Sequence, residues 1–133
     1  MKRIKIIGGG LAGCEASYQL LKRGYAVDLY EMRPKVMTPI HKTGDLAELV
    51  CSNSLKSFDE NTSQGLLKYE LKLLDSLIIK AALNCKVPAG GALAVNREQF
   101  SKEIEKEIAK FDNLNIIREE CKCIDDYTII ASG

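Results

Sequence analysis

The chain begins with a short apolar run, Ile4 to Ile7, that stops abruptly at a cluster of glycines. It reads as a buried strand. Past the glycines, Ala12, Ala16 and Leu20 recur at helical spacing, Gly24 suits a helix C-cap, and Ala26 to Tyr30 forms a second apolar run. Strand, helix, strand over about thirty residues is a βαβ unit, whose two strands lie parallel.

From Met32 to Ser63 the pattern turns irregular. Arg33-Pro34 stops the strand, Thr38 to Gly44 has turn chemistry, and Leu46 to Val50 suits one or two helical turns. So long an irregular connection is unusual in a compact domain, and its mixed apolar content points to function over disorder. A helix is predicted from Gln64 to Leu83. Leu67, Leu71, Leu74 and Ile78 make its stripe; Leu66, Leu73, Leu77 and Ile79 widen it, so cover on more than one side is expected. Val87 to Val95 reads as a loop and a short strand. Asn96 is a good N-cap for a helix from Arg97 to Phe111, with Phe100, Ile104 and Ile108 facing the core and balanced Lys and Glu facing water. Leu114 to Arg118 adds a strand. Glu120 to Ile124 and Tyr127 to Ala131 suggest a small β-meander turning at Asp125-Asp126. The fold class is α/β: a parallel sheet with flanking helices.

The glycine cluster fixes which α/β fold. Gly8-x-Gly10-x-x-Gly13 sits between strand and helix, and each glycine has a physical task. Gly8 allows the tight turn, Gly10 lets a pyrophosphate approach the backbone, and Gly13 lets helix and strand pack closely. Free N–H groups of Gly9, Leu11 and Ala12 belong to the same anion-binding helix start. Glu31 closes the second strand about twenty residues later, where a carboxylate accepts a ribose hydroxyl and disfavours a 2′-phosphate. A glycine turn in an ordinary βαβ unit is the plain alternative. The coincidence of strand, turn, helix and carboxylate favours a Rossmann-like FAD/NAD(P)-binding fold.

Composition excludes more than it adds. With 133 residues, 46% hydrophobic and 28% charged, the chain suits one soluble domain, and a net charge of +1 offers no general attraction for nucleic acid or membrane. Five cysteines without zinc or redox spacing suggest a reducing cytoplasm. No apolar run approaches a membrane span or a signal peptide.

Three segments carry a specific resemblance. Leu29-Tyr30-Glu31-Met32-Arg33-Pro34, Ala47 to Leu55 with its Cys51-Ser52-Asn53-Ser54, and Pro88 to Val95 resemble the folate- and FAD-dependent tRNA (uracil-5-)-methyltransferases, relatives of the GidA-type flavoproteins. The closing Ile129-Ile130-Ala131-Ser132-Gly133 is similar to the turn that such flavoproteins place near FAD, which favours FAD over NAD in the first site. The resemblance implies methylation at C5 of a T-loop uridine in tRNA. Carbon would come from 5,10-methylenetetrahydrofolate and reducing equivalents from NAD(P)H through FAD. It also implies that Cys51 is a catalytic thiol, and that the strand of Cys121 lies beside the adenine.

Read from its own surroundings, Cys51 has two accounts. It is a buried inert cysteine, or a thiol in a polar turn where Ser54 caps a helix that lowers its pKa. The other four cysteines read as packing residues. Arg33 has the choice of an ion pair, a cofactor contact or a surface position; His41, the only histidine, suits a solvated loop better than acid–base work. Gly90-Gly91 either approaches the flavin or merely turns the chain. Residues 1–133 are thus expected to be the N-terminal part of an FAD-binding domain, incomplete at its C-terminus, with an active-site segment at about 32–63. A stand-alone nucleotide-binding module and another FAD oxidoreductase are the competing readings.

Overall fold

The structure is a computed structural model that describes residues 2–133. Strand β1 (Arg3–Ile7), helix α1 (Leu11–Lys22) and strand β2 (Ala26–Tyr30) form the expected βαβ unit, with Ile6 opposite Leu29 in parallel register. Then come β3 (Ser54–Ser57), α2 (Ser63–Leu73), α3 (Leu77–Asn84), β4 (Lys86–Val87), β5 (Ala92–Val95), α4 (Arg97–Ala109), β6 (Leu114–Ile117) and β7 (Thr128–Ile130). The parallel sheet has the order β6-β2-β1-β7. Successive strands are laid outward on one side of β1 and then, with β7, on the other. This reversal opens a crevice at the carboxyl ends of the strands, where α/β sheets bind ligands.

The core lies between this sheet and the helices. Ile6, Val27 and Leu29 from the sheet meet Leu77, Ala81 and Ala82 of α3 and Phe100, Ile104 and Ile108 of α4, all with at most 1% exposure. The periodicity of α4 therefore reads correctly. Asn96 caps it as expected, accepting from the Gln99 N–H.

The helix expected over Gln64 to Leu83 is two helices. Asp75 takes φ 59°, in the left-handed region, and breaks the turn. Ser76 then starts α3, its hydroxyl accepting the Ile79 N–H at 3.2 Å. Glu15 of α1 completes this cap: its carboxylate accepts the N–H groups of Leu77 and Ile78 and the Ser76 hydroxyl. Periodicity continued across the break because both helices are apolar on one side. Only α3 buries that side. Leu66, Leu67 and Leu73 of α2 and Leu74 at its C-cap are 47–71% exposed, so the expectation of cover on more than one side is corrected for α2.

Other local expectations shift as well. Leu46 to Val50 forms no helix: Leu46 and Ala47 make a turn, with Ala47 at φ 53°, and Glu48 to Val50 are irregular. Ser54 lies in β3, so no helix begins there to act on Cys51. Glu120 to Ile124 forms no strand, and β7 joins β1 in parallel without a meander partner. The antiparallel part is a small separate sheet, β3-β5-β4. It includes the strand expected before Asn96.

The Ser76 cap gives a direct test. Ser76→Ala should lower stability by about 1 kcal/mol or somewhat more, since it removes an N-cap and one partner of Glu15. Leu73→Ser on exposed α2 should stay within about 0.5 kcal/mol. Thermal melts followed by circular dichroism would distinguish them.

Candidate functional site

The turn from β1 to α1 is held by backbone packing. A Cβ on Gly13 would fall on the Gly8 carbonyl, and one on Gly8, which has φ +108°, would collide with the Ala131 carbonyl. One on Gly9 would meet Leu46 Cδ2 at 2.6 Å and Glu31 Oε1 at 3.0 Å. Gly10 differs from all three. Its φ of −78° suits any residue, and a Cβ there would meet nothing within 4 Å. The protein needs no glycine at that position for its own packing. Open space lies above a helix start whose N-cap has no side chain to satisfy the first N–H groups. Leu11 is half-buried and Ala12 exposed at this start. This arrangement fits an incoming pyrophosphate.

Glu31 stands beside the turn with only 5% exposure. One carboxylate oxygen accepts the Gly9 N–H at 3.2 Å and Arg33 Nη2 at 2.9 Å. The other accepts the backbone N–H and Nε of Arg33, both at 2.9 Å. Burial alone would push this carboxyl up, but the hydrogen bonds and charge of Arg33, with the Gly9 N–H, hold it below the ordinary 4.5.

Arg33 is itself only 2% exposed, so it is not a surface charge. Beyond Glu31 it donates to Glu48 Oε2 at 3.1 Å and to the carbonyls of Thr43 and Asp45 at 3.0 and 3.2 Å. Glu48 also gathers the N–H groups of Lys42 and Thr43 and the Thr43 hydroxyl. Burial pushes its carboxyl up, and these donors with Arg33 bring it below the ordinary value. Arg118, at the end of β6, donates to the carbonyls of Arg33 and Gly44. The irregular segment is thus tied into the turn, and more directly by the Ala47 N–H, which donates to the Gly9 carbonyl at 2.8 Å.

Cys51 is exposed, between two anchors. Leu49 before it is buried, and Asn53 after it exchanges hydrogen bonds with the Val95 backbone. The account of Cys51 as a buried cysteine is therefore excluded. Cys14 and Cys85 are the buried ones. Burial, with the charges of Glu105 and Glu31, pushes the Cys14 thiol up to about 12. Cys121 is half-buried in an extended segment, its Sγ donating weakly to the Cys123 carbonyl. Among the described residues no hydrogen bond joins it to the glycine turn. His41 is half-buried, its ring paired with the Thr38 hydroxyl.

The structure thus gathers Gly8 to Gly13, Glu31 and Arg33 at one crevice and adds Glu48, Ala47 and Arg118. The acidic Glu48 four residues after Gly44 carried no sequence signal of its own, because its partner lies fifteen residues away in a loop. A cavity of about 320 Å³ adjoins this segment, walled by Ile40, Leu49 and Val50 and rimmed by Lys42 and Arg97.

Comparison with known proteins follows the same lines. Residues 3–132 match the family described as glucose inhibited division protein A. The methylenetetrahydrofolate–tRNA-(uracil-5-)-methyltransferase TrmFO of Dictyoglomus thermophilum is 53% identical over 135 residues, covering 100% of this chain and 31% of that protein. Its counterpart in Aquifex aeolicus is 53% identical over 134 residues, 99% of this chain and 30% of that protein. The chain therefore spans less than a third of the length of these relatives. Among solved structures, Thermovibrio ammonificans THI4 has a TM-score of 0.52 at 19% identity, over 87% of this chain and 38% of that one. A P. aeruginosa PqsL mutant has a TM-score of 0.53 at 13% identity, over 94% of this chain and 36% of that one. At such identities these structures show the Rossmann-like fold.

Two outcomes are expected. Cys51 and Cys123 should react with a maleimide in the folded chain, Cys121 more slowly, and Cys14 and Cys85 only after unfolding, as read by mass spectrometry. Because Glu31 and Glu48 are held below 4.5, their contribution to stability is fully present above that pH. It is lost as the pH falls through their folded-state values. Acid unfolding of Glu48→Gln should show a shallower loss over that range than the unsubstituted chain.

Proposed function

The chain belongs to the glucose inhibited division protein A family, and on that premise we propose that it is the dinucleotide-binding part of a folate- and FAD-dependent tRNA (uracil-5-)-methyltransferase. The observation that carries the FAD assignment is Gly10, a glycine kept open in a turn whose other glycines are required by packing. The 53% identity to named methyltransferases supports the reaction. The substrates on this reading are tRNA, 5,10-methylenetetrahydrofolate and NAD(P)H, in the cytoplasm.

The residues divide the work by chemistry. The N–H groups of Leu11, Ala12 and Gly13 would hold the pyrophosphate of FAD at the positive end of α1, while the Gly9 N–H is already committed to Glu31. Glu31 accepts from the adenosine ribose, and Arg33 keeps that carboxylate ionised and oriented. The backbone at Cys121 flanks the adenine. FAD, when bound, supplies reducing equivalents drawn from NAD(P)H. Cys51 faces a different problem: C5 of uracil is a poor nucleophile until something adds at C6. Its thiolate adds there and C5, now enolate-like, bonds the methylene carbon of the folate. The C5 proton and tetrahydrofolate leave, and a two-electron reduction by the equivalents drawn from NAD(P)H turns the methylene into methyl as the thiolate is eliminated. Exposure of Cys51 on an anchored segment suits a nucleophile that must meet a large RNA substrate.

The test is an absorption spectrum after desalting the chain from added FAD. A retained flavin band is expected from the unsubstituted chain. Gly10→Ala should melt at the same temperature yet retain FAD at least about tenfold less well, because its methyl occupies the pyrophosphate approach and nothing else. Equal retention by both proteins would overturn the assignment.

A further inference from the structure

Helix α2 turns its apolar side away from the rest of the molecule. Leu66, Leu67, Glu70, Leu73 and Leu74 follow at i, i+1, i+4, i+7 and i+8, which places all five on one face. The opposite face holds Gly65 and Lys68, the two residues that α2 buries. The leucines are 47%, 56%, 69% and 71% exposed in chain order. Four such side chains together make a patch in the range of about 300–600 Å² that marks the largest on a monomer, often a functional one. Beside it, a groove of about 370 Å³ runs between α2 and α1, lined by Leu20, Leu71 and Leu74 with Gln19 and Arg23 next to them.

Two opposite charges stand unmatched at this face. Glu70 lies in the middle of the leucines and has no ion-pair partner among the described residues. Arg23 spends Nη1 on the carbonyl and side-chain oxygen of Gln19, at 2.8 and 2.9 Å, and no carboxylate meets its guanidinium. The neighbouring cations Lys22 and Lys80 are already paired with Asp75, and Glu15 is committed to the cap of α3. Within one chain Glu70 and Arg23 do not meet.

We propose that the leucine face of α2 is a self-association surface, on which a second copy of this chain docks antiparallel about a twofold axis, Glu70 of each copy pairing with Arg23 of the other. The spacing is self-complementary. An axis passing near Glu70 sets Leu66 and Leu67 of one copy against Leu74 and Leu73 of the other, the same patch serving both sides as a twofold contact requires. A glutamate in the centre of an apolar contact is costly unless a cation reaches it, and Arg23 is the cation at the adjoining groove. Such a pair buries on the order of 1,000 Å² in all, the lower bound for a specific interface, so association in the micromolar range is expected. The surface is separate from the glycine turn and does not depend on the dinucleotide reading.

The experiment is sedimentation velocity on the whole chain over about a hundredfold range of concentration spanning the micromolar. The mass should rise from one chain to two and stop there, since a twofold contact closes on itself. Leu67→Ser combined with Leu73→Ser should remain a single chain throughout, with an unchanged melt in dilute solution, because neither leucine is buried in the monomer. The charge pair has its own readout. Glu70→Arg and Arg23→Glu should each weaken pairing about tenfold or more alone, as like charges then face each other. Mixed in equal amounts, the two variants should pair with one another, because both contacts of the mixed dimer are again of opposite sign. A single chain at every concentration, a mass that keeps rising past two, or dimers that survive the leucine substitutions would each overturn the proposal. Single charge variants that pair as well as the unsubstituted chain would overturn it too.

Discussion

The backbone of α1 passes so close to the end of β1 that Gly13 rests on the carbonyl of Gly8, and Gly8 in turn rests on Ala131. The end of β1, the start of α1 and, from far along the chain, Ala131 meet there backbone to backbone. The contact sets the depth at which the helix enters the crevice. It also sets the position of Glu31, which is bonded to Gly9, and of Ala47, which is bonded to the same residue from the other side. Larger residues at these points would separate helix from sheet and dissolve the site and the fold together.

Charge is buried next to this contact, and burying charge is costly unless every donor and acceptor is used. Arg33 meets that condition by spreading its guanidinium over two carboxylates and two carbonyls. Among the described residues no buried side-chain nitrogen or oxygen lacks a partner. A network so fully satisfied does little for net stability relative to an apolar core. What it supplies is a single defined geometry for an irregular segment that has no secondary structure of its own.

How much of this was legible in the sequence depends on the range of the cause. The βαβ unit with its glycine turn, the position of Glu31 at the end of β2 beside that turn, the Asn96 cap and the face of α4 follow from local spacing, and the structure has all of them where the spacing puts them. The break at Asp75 was hidden because leucines continue in phase through it, and the Ser76 cap depends on Glu15, sixty-one residues away. Ala47, Glu48 and Arg118 were invisible for the same reason: their importance comes from partners brought together by the fold. Glu120 to Ile124 alternates like a strand, yet a strand exists only where a neighbour pairs with it, and none does here.

Helix α2 is attached differently from the rest. It buries Gly65 and Lys68 and leaves its leucines in water, and a left-handed residue separates it from α3. Little apolar surface resists its opening, so it belongs to the low end of the spectrum of local unfolding energies. The turn at Gly8 to Gly13 lies at the other end. Amide hydrogens of α2 would exchange with solvent through brief local openings while those of β1 and α1 wait for the whole chain to unfold. The molecule is therefore graded in rigidity, firm around its glycine turn and loosest along the leucine-bearing helix.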